Sequence, residues 1–315
     1  MILSRLERGL LVSAKMRALR YSLTIFSEMP ETWRLMEVLQ WTAEHFAKKG
    51  FASARLDAEL LISHALGVKR IELYMRPEMP LKDKERKAIR ELVLKRLSGI
   101  PVAYLTGHKD FWAMTFQVSP AVLIPRPATE DLVEHAHINL LSRKGEPLKI
   151  LDIGTGCACI ACALAKEFPQ AQIIATDISM DALEVARKNI ELLGFSERIS
   201  VRQGDLYKAV RGEERFDLII SNPPYIPSSL METLASEVKQ EPTIALDGGE
   251  DGLRIIRKIA RGASQHLLDG GLLMVEIDNL HGEKIAKEVD TPGLEFKGIA
   301  NDLAGLPRIG WWQKI

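Results

Sequence analysis

The segment FDLIISNPPY, residues 216–225, joins an apolar run to an abrupt polar stop. The Leu-Ile-Ile run at 218–220 has the length and branching expected of a buried parallel strand. Pro223 and Pro224 lack backbone donors and fix φ, so the strand has to end at this point. We therefore predict a stiff turn just beyond the carboxyl end of a buried strand, where open α/β sheets bind their ligands.

The turn carries groups that suit a planar amino or amide group. Asn222 offers an amide oxygen and two N–H donors, and Tyr225 offers a flat apolar face with a polar tip. The carbonyl groups of Pro223 and Pro224 accept hydrogen bonds and have no adjacent N–H that competes for a ligand. A turn in which Asn222 only caps local backbone has the same local sequence, so the interpretation depends on the upstream motifs.

Strands and helices alternate from residue 129 onward. Apolar runs predict seven strands, at 149–153, 172–175, 199–202, 216–221, 272–277, 295–299 and 307–313. Helices are predicted at 129–141, 157–167, 180–193, 252–268 and 283–289. Because the connections are short, this order predicts an α/β fold with a doubly wound, mostly parallel, seven-stranded sheet.

Residues 29–100 have a helical pattern instead. The apolar positions of a first helix are Leu35, Val38, Leu39, Thr42 and Phe46; those of a second, capped by Ser53, are Leu56, Leu60, Leu61, His64 and Ala65; those of a third, starting at Asp83, are Ile89, Leu92, Val93 and Leu97. This segment shows no catalytic constellation. We expect a small helical domain that recognises a macromolecular partner or braces the second domain.

Residues 101–127 predict a linker. Extended segments at 111–112 and 116–118, separated by Ala-Met-Thr, indicate a β-hairpin. The segment LIPRP at 123–127 should be stiff and extended, because residues before proline are pushed out of the helical region. We expect this linker to run along the active face of the following domain, which spans residues 128–315.

Residues 1–28 are basic, with five Lys and Arg residues against two Glu residues. This pattern is compatible with an organelle transit peptide. A wrongly chosen upstream start codon, with Met29 or Met36 as the true start, explains it equally well. In either case we expect this extension to be poorly ordered.

The overall composition excludes several classes of protein. Lys+Arg and Asp+Glu both number 42 and the pI is about 7.1, so no global field favours nucleic acid or an anionic membrane. No apolar run approaches the ~20 residues of a membrane-spanning helix. The three cysteines, Cys157, Cys159 and Cys162, lack the further ligands of a zinc site, so we expect no metal and reduced, tightly packed thiols.

The segment DIGTG at 152–156 lies between a predicted strand and a predicted helix. Gly154 and Gly156 let a ligand approach the backbone, and the helix start adds free N–H groups. A dinucleotide fingerprint would have a third glycine at position 159, where Cys159 stands. The motif therefore argues against a nicotinamide cofactor whose pyrophosphate sits on the helix.

Three carboxylates follow three neighbouring predicted strands. Asp177 stands where a carboxylate can accept both hydroxyls of a ribose, and Asp205 stands where it can meet the exocyclic amine of an adenine. Asp152 precedes the glycine loop and could orient a cationic amino group. Ribose, adenine and an amine without phosphate are the groups of S-adenosyl-L-methionine, which we expect as the cofactor.

Motifs along residues 35–315 carry a family resemblance. They are RLDAELL at 55–61, PVAYLTG at 101–107, FW at 111–112, LIPRP at 123–127, DIGTG at 152–156, NPPY at 222–225, EP at 241–242, AL at 245–246 and GGEDGL at 248–253. With them the chain resembles the class I S-adenosylmethionine-dependent methyltransferases, whose sheet is Rossmann-like. Within that class it resembles the HemK family of release factor glutamine N5-methyltransferases, which act on the Gly-Gly-Gln loop of peptide chain release factors.

The resemblance implies roles for individual residues. Cofactor contacts are implied for Gly154, Thr155, Gly156, Cys157, Ala158, Asp177, Asp205, Leu206 and Asn222, in addition to Asp152 from the carboxylate pattern. The substrate glutamine is implied on Asn222, Pro223, Pro224 and Tyr225, with Asn222, Pro223 and Tyr225 catalytic. The chain departs from the family pattern at Ala128, Leu206, Asp278 and His281, which puts details of cofactor affinity in doubt.

Other functions share part of this pattern. An enzyme acting on a ribosomal-protein glutamine would carry every motif, and NPPY also occurs in amino methyltransferases of DNA and RNA. A protein that keeps the fold and only binds the cofactor is a third class. We expect a release factor as the protein partner, no direct nucleic-acid binding, no membrane and a monomer. We also expect a cytoplasmic location, or a mitochondrial one only if residues 1–28 are a transit peptide.

Overall fold

The computed structural model describes residues 34–315. The predictions made for residues 1–28 lie outside this range. The chain divides into two compact units between Thr106 and Gly107. The hairpin predicted within the linker therefore belongs to the second unit.

The described part of the first unit consists of helices. They are α1 (Leu35–Lys48), α2 (Ala54–Leu66), α3 (Arg70–Met75), α4 (Asp83–Leu97) and α5 (Val102–Thr106). The predicted apolar face of α1 is buried, and Ile89 and Val93 of α4 are buried as well. Gly67 ends α2 with φ +66°.

The predicted buried face of α2 is wrong in part, since Leu61 is fully buried but other predicted positions are not. Leu56 is 41% exposed and His64 is exposed, whereas Asp57 is buried. Asp57 Oδ2 lies 2.7 Å from Arg96 Nη2, and the Arg96 guanidinium covers the Phe51 ring at 4.2 Å from its centroid. The buried face of α2 includes Ala54, Ala58, Leu61 and Ile62 with Asp57 beside them, and Arg96 pairs with the carboxylate that this face buries.

The second unit opens with a hairpin of β1 (His108–Phe111) and β2 (Met114–Gln117). Its turn is formed by Trp112 and Ala113, at φ +51° and +52°, and not by the predicted Ala-Met-Thr segment. Positive φ at both central residues matches the right-handed twist of the two strands. Trp112 is also anchored, because its backbone N–H donates to Glu130 Oε1 at 2.6 Å and its ring N–H donates to Glu167 Oε1 at 2.9 Å.

The main sheet has seven strands. They are β3 (Lys149–Ile153), β4 (Gln172–Asp177), β5 (Ile199–Gln203), β6 (Phe216–Ser221), β9 (Leu267–Glu276), β10 (Leu294–Asn301) and β11 (Pro307–Lys314), while β7 (Ile226–Pro227) and β8 (Asp247–Gly249) form a separate pair. The order across the sheet is β10-β11-β9-β6-β3-β4-β5. The strands β9, β6, β3, β4 and β5 pair in parallel, and β11 runs antiparallel to both neighbours. This confirms the predicted doubly wound, mostly parallel sheet.

Helices connect the strands and cover the sheet. They are α6 (Pro127–Leu140), α7 (Cys159–Glu167), α8 (Met180–Leu192), α9 (Arg254–Ala263) and α10 (Gly282–Glu288). Every residue of β6 is buried, as expected for a strand covered on both faces. The chain leaves β3 toward β4 on one side and returns to β6 on the other, so a crevice opens at the carboxyl ends of β3 and β6.

The structure also bears on the expectations about membrane spans, cysteines and metal sites. Within residues 34–315, each helix is too short or too polar to cross a lipid bilayer. Cys157, Cys159 and Cys162 are free and buried, and burial raises the pKa of the Cys162 thiol. Across the same range no group of three His, Cys, Asp or Glu side chains is arranged to hold a metal ion.

Candidate active site

A cavity of about 440 Å³ lies at the carboxyl edge of the sheet, around the β3–β6 crevice. Most of the predicted site residues line it, namely Gly154, Thr155, Gly156, Cys157, Asp177, Asp205, Leu206, Asn222, Pro223 and Pro224. Asp152, Ala158 and Tyr225 do not line it. The topology therefore brings the glycine loop, two of the three carboxylates and the proline turn to one cavity.

The glycine loop is held against the end of β4. Gly154 and Gly156 adopt φ +74° and +55°, which residues with side chains rarely adopt. The N–H groups of Gly154 and Thr155 both donate to the carbonyl of Thr176 at 2.8 Å. Ala158, at φ +66°, is buried at the start of α7. The loop is thus fixed by backbone hydrogen bonds in a shape that leaves its open side toward the cavity.

Asp177 joins the glycine loop to the next helix. Its Oδ2 accepts from the N–H of Gly156 at 3.0 Å, and its Oδ1 accepts from the N–H of Ser179 at 2.9 Å. Burial raises the pKa of this carboxyl above its usual range. Each oxygen keeps a further lone pair, so the carboxylate can still accept hydroxyl groups from a ligand.

Asp205 and Leu206 follow β5 at the cavity wall. Asp205 is partly exposed, and Lys208 Nζ lies 3.3 Å from its Oδ2. Leu206 takes φ +54°, an uncommon conformation for a branched residue. Its side chain also packs against the core cluster around α9. Leu206 therefore supplies an apolar surface beside the Asp205 carboxylate.

Asp152 lies beneath the glycine loop and is completely buried. Its Oδ2 accepts from the Thr155 hydroxyl at 2.6 Å, whereas its Oδ1 has no hydrogen-bond partner. Burial, with a smaller contribution from the Asp177 charge, raises the pKa of Asp152 to about 7. A buried carboxylate oxygen without a donor favours a cationic group nearby.

A hydrogen-bonded chain runs behind the proline turn. Asn222 Nδ2 donates to Thr129 Oγ1 at 3.0 Å, and the Thr129 hydroxyl donates to Glu276 Oε2 at 2.7 Å. The Tyr225 hydroxyl donates to Glu276 Oε1 at 3.1 Å. The polar tip of Tyr225 is therefore engaged inside the protein, and the N–H₂ group of Asn222 is engaged by Thr129, which also lines the cavity.

The glycines of the segment at 248–253 allow close approach to the proline turn. A Cβ atom on Gly252, whose φ is +79°, would lie 2.3 Å from the carbonyl oxygen of Tyr225. A Cβ atom on Gly248 would lie 2.8 Å from the carbonyl oxygen of Pro224. Because β7 also pairs with β8, this segment supports the backbone of the turn from behind.

Glu241 attaches the Ile-Pro-Arg-Pro segment to the site. This carboxylate is buried and accepts from the backbone N–H of Ile124 at 3.0 Å. It also forms an ion pair with Arg126, which lines the cavity. The two motifs are 115 residues apart along the chain and form one contact in the structure.

Sequence analysis missed Thr129, Glu276 and the role of Glu241. The signal for Glu276 is a carboxylate within the apolar strand β9, which requires a partner when it is buried. Thr129 gives little signal, because a threonine near a helix start is common. Nothing in sequence spacing predicts that Thr129 and Glu276, 147 residues apart, are bonded.

The four departures from the family pattern lie in different places. Leu206 lines the cavity, whereas Ala128, Asp278 and His281 do not. Asp278 Oδ1 accepts from the N–H of Leu280 at 2.9 Å. His281 is buried, and its Nε2 lies 3.1 Å from the carbonyl oxygen of Asp251. Three of the four departures thus lie outside the cavity lining.

Two family models match the chain. Residues 37–107 match the model described as the PrmC N-terminal domain, and residues 128–289 match the model described as the methyltransferase small domain. These two ranges fall on the helical segment and on the sheet-containing unit.

Curated relatives match over almost the whole chain. A protein of Rhodopirellula baltica called "Release factor glutamine methyltransferase" is 41% identical over 287 residues, 90% of this chain and 97% of that protein. A protein of Geobacter sulfurreducens with the same name is 41% identical over 284 residues, 90% of this chain and 98% of that protein.

A solved structure is also similar. It is described as a protein-(glutamine-N5) methyltransferase (release factor-specific) from Alicyclobacillus acidocaldarius. The identity is 29%, the match covers 63% of this chain and 99% of that chain, and the TM-score is 0.39.

Proposed function

Because the chain belongs to the release factor glutamine methyltransferase family, we propose that its cavity binds S-adenosyl-L-methionine and that residues 222–225 hold the substrate amide. The protein is a protein-glutamine methyltransferase that modifies the side-chain amide of a glutamine in a peptide chain release factor. The glutamine of the Gly-Gly-Gln loop is the proposed target.

One observation carries the assignment of the substrate site. The N–H₂ group of Asn222 is committed to Thr129 at 3.0 Å, so the amide oxygen Oδ1 is left for a ligand in the cavity. The amide oxygen of Asn222, together with the Pro223 carbonyl, would select a ligand that donates two N–H groups. The side-chain amide of glutamine is such a ligand.

The residues of the cavity fit S-adenosyl-L-methionine. Asp177 can accept the ribose hydroxyls, and Asp205 with Leu206 offers an acceptor and an apolar wall for the adenine. Asp152 Oδ1 is buried and has no hydrogen-bond donor, so its negative charge would attract the positively charged amino group of the cofactor. Arg126, Arg254 and Lys258 also line the cavity, and Arg126 is paired with Glu241.

S-adenosyl-L-methionine supplies an activated methyl group on a sulfonium. The protein has to hold the glutamine amide nitrogen, which is a poor nucleophile because its lone pair is delocalised. Asn222 Oδ1 and the Pro223 carbonyl accept the two amide hydrogens, which fixes the nitrogen and favours the positive charge that develops on it. As the nitrogen takes the methyl group, the carbon–sulfur bond of the sulfonium would break and leave a neutral thioether, and the methylated nitrogen would then lose its acidic proton to solvent. Positioning, with no strong base, supplies most of the catalysis.

The helical unit is proposed to recognise the release factor. It contains a compact apolar core and, among residues 34–106, exposed apolar side chains on α3 such as Ile71 and Met75. The balanced charge of the chain supports a protein substrate over a nucleic acid.

Methyl transfer from labelled S-adenosyl-L-methionine to a purified release factor tests this proposal. The control is the same factor with its loop glutamine replaced by alanine. Label on the natural factor and none on the control is the expected result. Label on a ribosomal protein or a nucleic acid in place of the release factor would reject the proposed substrate.

A further inference from the structure

Glu276 lies at the end of β9 and does not line the cavity, yet it is connected to the proposed substrate site. It is 1% exposed, and Thr129, which separates it from Asn222, is 2% exposed. Its two oxygens accept from two different hydroxyl groups, those of Thr129 at 2.7 Å and Tyr225 at 3.1 Å. Burying a charged carboxylate costs free energy, so its presence at this position suggests a specific role.

The chemistry of a hydroxyl group explains the arrangement. The Thr129 hydroxyl has one proton, and an ionised Glu276 can only accept, so the proton has to point to Glu276. The oxygen of Thr129 is then an acceptor toward Asn222, which must present its N–H₂ group. This reasoning fixes the orientation of the Asn222 amide from the hydrogen-bonding capacity of its partners alone.

We propose that Glu276 is a positioning residue that acts through Thr129 to keep the Asn222 amide oxygen directed at the substrate. The inference rests on the proposed function, because it assigns the side-chain amide of glutamine as the ligand of that oxygen. A protonated Glu276 can donate to Thr129, whose proton then turns to Asn222. The Asn222 amide must flip in response and would present N–H₂ to a substrate that also donates.

The charges around Glu276 leave its protonation responsive to pH. Arg126 at the start of α6 and Arg308 on β11 both face it and favour its ionised form. Each has its own carboxylate partner, Glu241 for Arg126 and Asp302 for Arg308. Burial outweighs these cations and the two hydroxyl donors, and raises the pKa of Glu276 to about 6.

Lowering the pH should weaken the positioning of the Asn222 amide. The acceptor-only form of Glu276 is present above a pH of about 6 and is lost as the pH falls through that value. The Tyr225 hydroxyl remains protonated in this range, since burial beside Glu276 raises its pKa further above its usual value. Turnover at saturating cofactor should therefore fall with Glu276 protonation, and not with titration of Tyr225.

The first experiment compares Thr129→Val with Thr129→Ser in methyl transfer to a release factor. Valine keeps the shape of threonine and removes the relay, that is, the Thr129 hydroxyl that links Glu276 to Asn222. We therefore expect kcat to fall about tenfold, which corresponds to the free energy of about one hydrogen bond, with the cofactor Kd unchanged. Serine keeps the hydroxyl and should restore kcat to within about twofold of the wild type. Thr42→Val, a buried threonine of the helical unit whose hydroxyl has no partner, is the matched control and should leave kcat unchanged.

The second experiment compares the pH profiles of kcat for the wild type and Glu276→Gln. The wild-type profile should show an inflection near pH 6, and at one pH unit below it roughly one-tenth of Glu276 remains ionised. Glu276→Gln should be slower at pH 8 and should lack this inflection. A merely structural role would lower stability or kcat at every pH and leave the shape of the profile unchanged.

The outcomes separate this inference from the proposed function. A wild-type enzyme that labels the release factor while Thr129→Val matches it in kcat would overturn the relay and leave the function intact. The same inflection in Glu276→Gln as in the wild type would also overturn it. A wild type that labels no release factor would overturn the proposed function and the relay together.

Discussion

Replacement of Gly252 by alanine should disturb the proline turn from a position outside the cavity. The added Cβ would lie 2.3 Å from the carbonyl oxygen of Tyr225 and 2.8 Å from Nε2 of His281. Cβ atoms essentially never approach other heavy atoms below 3.0 Å, so the turn or the Gly252 segment has to move. The backbone oxygen of Tyr225 cannot rotate away as the end of a flexible side chain could.

The required displacement is at least about 0.7 Å, the difference between the 2.3 Å separation and the 3.0 Å limit. A misplacement of about 1 Å at a reacting group can cost roughly 100-fold in rate. We therefore expect Gly252→Ala to lower kcat by about 100-fold. The clash should also cost about 1–3 kcal/mol of stability, beyond the roughly 1–2 kcal/mol of the left-handed φ.

Gly194→Ala is the matched control, because Gly194 has φ +78° and an added Cβ would meet nothing within 4 Å. It carries the same backbone penalty without the contact. The assay measures kcat for methyl transfer and the free energy of unfolding in denaturant for both variants. If Gly252→Ala kept a kcat within about threefold of Gly194→Ala, the close approach of the two segments would not support the site as argued.

Three further predictions concern other parts of the second unit. Asn222→Ala should lose more than tenfold in kcat while it still binds the cofactor by calorimetry, and near wild-type turnover would reject its role. Ala113→Gly should stabilise the protein by about 1 kcal/mol in denaturant unfolding, because glycine adopts the left-handed turn at φ +52° without strain; a loss of stability would contradict this. Since burial raises the pKa of Asp152 to about 7, a cationic ligand should release protons on binding at pH 7 and bind more weakly as the pH falls. Calorimetry in buffers of different ionisation enthalpy detects this release, which Asp152→Asn should abolish; identical enthalpies in all buffers for the wild type would contradict the prediction.

The main sheet was predictable because its signals are local. The apolar run that ends at Pro223 becomes the fully buried strand β6, and the alternation of strands and helices leads to one topology. The glycine loop and Asp177 were predictable for the same reason, since each follows directly from the end of a strand. Local pattern and tertiary fold agree there.

The remaining features depend on contacts between distant positions. The face of α2 was misassigned in part, because Asp57 is buried there and its partner Arg96, 39 residues away, is not indicated by apolar periodicity. The hydrogen-bonded chain from Asn222 to Glu276 crosses three separate segments of sequence. Hydrogen bonds of this kind have no periodicity, so their partners emerge only when the fold is known.

The most direct test of the central claim is peptide mapping by mass spectrometry of a release factor after reaction with the enzyme and S-adenosyl-L-methionine. We predict a single added methyl group on the side-chain nitrogen of the glutamine in the Gly-Gly-Gln loop, with a yield at a fixed early time point that is more than tenfold lower for Asn222→Ala. A methyl group on any other residue, or an unchanged yield with Asn222→Ala, would contradict the assignment of residues 222–225 as the site that holds the glutamine amide.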